Sequence, residues 1–184
     1  MKMRFEKVSR FNDTDINLPQ RKTKDSAGYD FEVAEDIVIP PYYKLWDNIV
    51  DAALNSDSYN GDNPVDLDTI AKYTKASKAK PTLVSTGVKA YIDDNKYLEL
   101  SVRSSCPLKH WLILANGVGI IDSDYVDNPD NEGEIFFQMI NLSPFPIALK
   151  KGDRIGQGII KDYYLVEGDS ASRSRVGGFG STND

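Results

Sequence analysis

An all-β barrel or jelly roll is the fold this sequence predicts, and three observations predict it. Short stretches rich in β-branched and aromatic residues recur along most of the chain, each bounded by Gly, Pro, Asn or Asp. Apolar residues at helical spacing are confined to one segment, residues 45–80. A length of 184 residues, 40% of them hydrophobic and 27% charged, suits one well-buried domain and is too short for two.

In chain order, strands are expected at 3–10, 29–33 and 37–39, where runs such as Tyr29-Asp30-Phe31-Glu32-Val33 alternate apolar and polar residues. The next pair, 82–91 and 97–103, flanks Ile92-Asp93-Asp94-Asn95-Lys96, which reads as a hairpin connection. Strands at 112–114, 134–142 and 154–164 complete the set. Between them, residues 116–125 read Asn-Gly-Val-Gly-Ile-Ile-Asp-Ser-Asp-Tyr. Val118, Ile120 and Ile121 have the character of a buried strand, and Gly117 and Gly119 allow a ligand or another backbone to come close. Asp122 follows at the strand end, where loops carry chemistry on a rigid support. Read alone, the segment is equally a hairpin corner with Asp122 and Asp124 solvated and Tyr125 half-buried.

The helical segment has two parts. Leu45, Ile49, Val50, Ala53 and Leu54 recur at helical spacing, and Leu67, Ile70, Ala71 and Thr74 share one face of a second helix. Asp66 and Asp68 stand at the start of that helix, and Lys75, Lys78 and Lys80 at its end. That order suits the helix dipole, with Pro81 as the stop. A polar loop at 55–64 separates the two, so 45–80 is expected as a helical insertion in a β domain spanning 1–166. The tail, 167–184, is too poor in apolar residues to pack alone and is expected as a flexible arm. It carries Arg173, Arg175 and Gly-Gly-Phe-Gly-Ser-Thr at 177–182, a set able to form an anion-binding nest beside an aromatic ring.

Charge and special residues narrow the function. A net charge of −6 repels polyanions, which argues against a sequence-independent grip on nucleic acid. A small phosphorylated ligand would need a divalent cation and gathered arginines. Cys106 is the only cysteine, so there is no internal disulfide and no cysteine-based zinc site, which fits a reducing, cytoplasmic setting. His110 is the only histidine and is read as structural. No apolar run is long enough for a signal or a membrane span.

Four further fragments supply complementary chemistry: Ala27-Gly28-Tyr29-Asp30, Arg103-Ser104-Ser105, Gly152-Asp153-Arg154-Ile155-Gly156-Gln157, and the glycine-rich tail. With 116–125, and in this order, they resemble the five sequence motifs of the trimeric dUTPase family, the dUTP diphosphatases. The resemblance implies a dUTPase-like jelly-roll or β-clip barrel, a homotrimer, and hydrolysis of dUTP to dUMP and diphosphate. This reaction limits uracil incorporation into DNA. It implies Asp122 as the catalytic residue that orients the attacking water, and Tyr125 as the ring that packs on the sugar and excludes a 2′-hydroxyl. Asn116, Gly119 and Ile121 belong to the hairpin that meets the uracil edge. Arg103, Ser104, Ser105, Gln157 and Arg175 match the phosphate-binding positions, and Phe179, Gly180 and Ser181 match the closing arm. Asp30 matches the aspartate that holds Mg²⁺.

The pattern departs from the family at several points. Ser105 stands where glycine is usual, and 126–132 inserts polar residues before Gly133. The usual tail arginine position holds Ser174, so Arg173 or Arg175 must serve with a shift, and Arg175 adjoins the glycines. Two rivals stay open. The related dCTP deaminases, or a bifunctional enzyme of the same fold, share Arg-Ser-Ser, although Gln138 stands where those enzymes have a proton-shuttling glutamate. The other rival is a nucleotide-switched regulator that binds a protein partner through 45–80, as in a viral genome, where the setting would be the host cytoplasm.

Overall fold

Side-chain alternation builds the central sheet. In β6 (Lys96–Val102), Leu98 and Leu100 are buried, while Tyr97, Glu99 and Ser101 project from the opposite face. The computed structural model describes residues 2–56, 65–172, 175 and 178. The other strands are β1 (Arg4–Lys7), β2 (Tyr29–Glu32), β3 (Ile37–Ile39), β4 (Thr82–Ser85), β5 (Val88–Tyr91), β7 (Leu112–Leu114), β8 (Gly119–Asp122), β9 (Phe136–Asn141), β10 (Ile147–Leu149) and β11 (Arg154–Asp162). A four-stranded sheet runs β2-β11-β6-β8 and a three-stranded one β4-β9-β7. The pairs β1-β5 and β10-β3 complete a jelly-roll-like β fold. All these strand pairings are antiparallel.

Phe31, Leu98, Leu100, Ile135, Phe137, Met139 and Ile155 form the centre of the core. Phe31 and Phe137 meet with ring centroids 5.8 Å apart. The glycines of β11 are set by this packing: a Cβ on Gly156 would stand 1.9 Å from the Phe137 ring, and one on Gly158 would stand 2.8 Å from Phe31. Cys106 is buried against the same core, its thiol donating to the Ile155 carbonyl at 3.2 Å.

Several expectations need correction. The expected strand at 3–10 ends at Lys7 and passes into a 3-10 turn at Ser9–Phe11, whose Phe11 is buried. The run 82–91 is two strands, because Gly87 takes φ +67° and turns the chain between β4 and β5. Residues 92–96 do not make a hairpin: β5 pairs with β1, whereas β6 pairs with β11 and β8, so this turn carries the chain from one sheet to another. In β8 the buried residue is Gly119, packed on Leu100, while Val118 and Ile120 are exposed.

The segment 45–80 does form helices, α1 (Tyr42–Leu54) and α2 (Leu67–Ser77). Asp66 caps α2 by accepting from the Thr69 N–H at 2.7 Å. The expected buried face of α2 is not the one used: Leu67 is 83% exposed and Tyr73 is buried instead, its hydroxyl 3.0 Å from Ser56 Oγ. The two helices pack on each other, so each buries a narrow stripe. A third helix, α3 (Ser105–His110), follows Arg103 and had no periodic signal.

Candidate active site

The predicted residues gather at two places on the chain. The first is a cavity of about 180 Å³ between the β8 edge and β9, which Asn116, Gly119, Ile121, Asp122, Tyr125 and Arg175 all line. Gly119 lets β8 lie against Leu100, and the turn before it is closed by the Gly117 N–H on Leu114 O at 3.1 Å. Asn116 stands exposed on that turn, so its amide is free to present both a donor and an acceptor to the cavity mouth. Asp122 ends β8 with its side chain 48% exposed. Tyr125 follows in a 3-10 turn and is 7% exposed. Burial raises its phenol pKa, so it stays a neutral donor well into alkaline pH.

Arg175 reaches this cavity from its own chain. Its guanidinium pairs with the Asp122 carboxylate, donates to Asp124 Oδ1 at 2.8 Å, and lies 5.9 Å from the Tyr125 ring centroid. Partial burial works against its charge, but Asp124 and Asp122 outweigh that and raise its pKa. A Cβ on Gly178 would stand 2.7 Å from the Tyr125 ring, so the tail backbone lies close against it. Phe179, Gly180, Ser181 and Arg173 lie outside the described residues.

The second place is the opposite end of the same sheet. Asp30 on β2 is in register with Gln157 on β11, and Gln157 with Ser101 on β6, so the three form one row on the face away from Leu98 and Leu100. Gln157 Nε2 donates to Ser101 Oγ at 3.3 Å, and a Cβ on Gly28 would stand 2.6 Å from Gln157 Oε1. Arg103 Nε lies 3.7 Å and Arg154 Nη1 3.1 Å from the Asp30 carboxylate. Ser104 precedes α3 and Ser105 opens it, beside Arg103.

This end therefore collects cations and polar donors suited to phosphate oxygens. Arg154 was not among the expected site residues, although it sits inside the fragment Gly152 to Gln157; its side of β11 is set by a register shift at 154–156 that spacing does not reveal. Gln138 and Phe136 also line the first cavity. Among the described residues no group of three or more His, Cys, Asp or Glu side chains is gathered to hold a metal ion. Asp30 offers a single hard oxygen donor flanked by two arginines. It fits an outer partner for a cation that arrives on phosphate, and does not fit a preformed cage.

The two places are separate on one chain. Asp122 is opposite Tyr97, and the stretch from Tyr97 to Arg103 spans about 20 Å of extended strand. Neither Arg103 nor Gln157 lines the cavity that holds Asp122.

A family model described as dUTPase matches residues 51–183. The deoxyuridine 5'-triphosphate nucleotidohydrolase of Lactococcus lactis subsp. lactis is 35% identical over 185 residues, 99% of either chain. The enzyme of the same name from Alcanivorax borkumensis is 31% identical over 75% of this chain and 94% of its own. Among solved structures, the dUTPase from Streptococcus mutans superposes with a TM-score of 0.66 at 34% identity, over 89% of this chain and 98% of that one. The dUTPase from phage phi11 of S. aureus, at 15% identity and a TM-score of 0.58 over 94% of this chain, shares the fold.

Proposed function

The chain belongs to the dUTPase family and is a dUTP diphosphatase; from that premise we propose how its residues carry the reaction. The observation that supports the reading best is the convergence of Asn116, Gly119, Asp122 and Tyr125 on one cavity. Uracil sits at the turn of Asn116 and Gly119, and the deoxyribose lies on the Tyr125 ring. A cytosine there would leave buried polar groups unpaired, a mismatch that discriminates strongly.

Asp122 accepts a proton from a water that attacks the α-phosphorus. The new P–O bond forms as the bond to the bridging oxygen breaks, and the electron pair leaves with diphosphate, giving dUMP. A carboxylate in hydrogen-bond reach of that water suits a general base. Most of the remaining barrier is positioning and charge neutralisation, the task of Arg103, Ser104, Ser105, Arg154 and Gln157. Mg²⁺ carried on the triphosphate would spread the developing charge, with Asp30 as its carboxylate partner. Arg175 leaves Asp122 when the phosphates arrive, which frees the base and supplies a bidentate donor to phosphate oxygens. In this reading 1–166, with its insertion at 45–80, is the β domain, and 167–184 is the arm that closes over the site, with Phe179, Gly180 and Ser181 following Arg175.

The separation of Asp122 from Arg103 and Gln157 supports a homotrimer in which one copy brings the phosphate-binding end to another copy's cavity. Product analysis with dUTP, dCTP, dTTP and UTP in Mg²⁺ tests the reaction. Diphosphate released from dUTP alone is the expected result, and deamination of dCTP would overturn it. Equal rates in a chelator would remove Mg²⁺ from the scheme.

A further inference from the structure

Tyr125 is anchored by its polar end. Its hydroxyl donates to the Glu134 carbonyl at 2.9 Å and accepts from Asn131 Nδ2 at 2.8 Å. The single phenolic proton is therefore committed inward, which leaves the ring to act on a ligand by its face and edge.

Asn131 is itself held in place. Its Oδ1 accepts from the Gly133 N–H at 3.0 Å and from Asn128 Nδ2 at 2.8 Å. Buried Asn128 also donates to the Tyr125 carbonyl at 2.8 Å, so backbone and hydroxyl of one tyrosine are bound by one loop. Gly133 closes that loop at φ +78°, with Val126 Cα and the Tyr125 carbonyl within 2.7 Å of where a Cβ would stand.

The far side of the loop is fixed to the barrel. The Glu134 side chain is 4% exposed and receives Arg10 Nη2 at 2.8 Å, Arg10 Nε at 3.1 Å, Ser85 Oγ, and the Gly87 N–H at 3.2 Å. Glu132 accepts from the Ser9 N–H at 3.1 Å. The tether on Tyr125 therefore leads through hydrogen bonds to Arg10, Ser85 and Gly87; Glu134 supplies one half of it, and Asn128 and Asn131 of the polar stretch 126–132 supply the other.

We propose that Asn131 is a positioning residue for the reaction on dUTP: its amide on the Tyr125 hydroxyl fixes the tilt of the ring and thereby sets the rejection of ribonucleotides. The proposal rests on the reading of Tyr125 as the wall against the sugar. A ribose adds one oxygen, and the site admits it only if the ring swings away. A ring tied at its para oxygen from two sides resists that swing, while one held by the Glu134 carbonyl alone yields more readily.

The test is the ratio of kcat/KM for dUTP to that for UTP, with melting temperature measured beside it. Asn131→Ala is expected to lower the ratio by about tenfold, mainly by admitting UTP, because it removes one of the two hydrogen bonds that hold the ring. Tyr125→Phe removes this link together with the hydroxyl's bond to the Glu134 carbonyl, and is expected to lower the ratio at least as far. The double variant should fall no further than Tyr125→Phe, since Asn131 acts through the hydroxyl. A wild-type ratio in either folded single variant overturns the proposal, as does a fully additive double variant. If Asn131→Ala does not fold, Asn131→Asp takes its place, because it keeps the Oδ1 acceptor for the Gly133 N–H and Asn128 and removes only the amide donor to the Tyr125 hydroxyl. Tyr125→Ala separates the two readings: a lowered ratio there with Asn131→Ala unchanged removes only the Asn131 role, whereas an unchanged ratio removes the sugar wall and the positioning role together.

Discussion

At the scale of single residues, Asp122 carries the sharpest prediction. Asp122→Asn keeps the shape of the cavity and removes the base, so turnover of dUTP should fall by about 10²–10⁴-fold, the usual worth of a positioned base. Nucleotide affinity, measured by calorimetry with a non-hydrolysable analogue, should stay near the wild-type value. Near-normal turnover in this variant would end the role given to Asp122. Cys106 gives a second prediction of another kind. Burial raises its thiol pKa, and its proton is donated to the Ile155 carbonyl, so it should resist alkylation in the native protein and react fully only after unfolding, as read by mass spectrometry. Fast native alkylation would contradict the packing of α3. The sequence singles out Asp122, Tyr125 and Asn116, which the fold brings to one cavity, and Gln157, which it sets in a row with Asp30, because each lies in a fragment whose order and spacing are specific. Arg154 and Asn131 were not singled out, because the roles proposed for them depend on a register shift and on the conformation of a loop, neither of which spacing reveals.

At the scale of elements, periodicity revealed most strands and both long helices, since apolar alternation is a local property. It missed β10, none of whose three residues is buried and whose pairing with β3 is non-local, and it missed α3, which is too short for a helical period. It also assigned α2 the wrong face, because a helix packed on one neighbour buries only a narrow stripe, and Tyr73 outcompetes Leu67 there. The helical pair nevertheless has a simple attachment. Pro41 bridges to Asn141 and Thr82 pairs with Met139, so the chain leaves and rejoins at neighbouring positions on β9, about 7 Å apart. Replacing 45–80 by a short flexible linker should therefore leave both pairings intact. We expect dUTP turnover within a few-fold of wild type and a cooperative melt. Loss of assembly on this deletion, measured by light scattering, would assign the helices a structural role in the oligomer. The tail differs in kind. Truncation after Ser172 removes Arg175 and should abolish most turnover while leaving the melting temperature nearly unchanged, because among the described residues the core lies before it.

At the scale of the whole molecule, the decisive geometry is the distance along β6. Asp122 lies opposite Tyr97, whereas Arg103 continues the far end and Gln157 pairs with Ser101, so one copy holds both halves of the chemistry yet does not join them. A triphosphate extends far less than the roughly 20 Å of strand between those ends. In the proposed scheme a productive site needs Asp122 from one copy and Arg103 from another, which makes assembly a condition of catalysis and gives a test by subunit mixing. Arg103→Ala and Asp122→Asn proteins should each be inactive alone. When the two are mixed at equal amounts, unfolded and refolded together, the proposed trimer would draw a given site's Asp122 from an Arg103→Ala copy and its Arg103 from an Asp122→Asn copy in about one case in four, by random association. Activity should recover to about a quarter of the wild-type value, with no recovery when the two are mixed without subunit exchange. If both residues served one site within a single copy, every site in the mixture would carry a lesion and no recovery could appear. Absence of recovery despite proven mixed trimers would therefore place the reaction within one chain, and the row of Asp30, Gln157 and Ser101 would need another explanation.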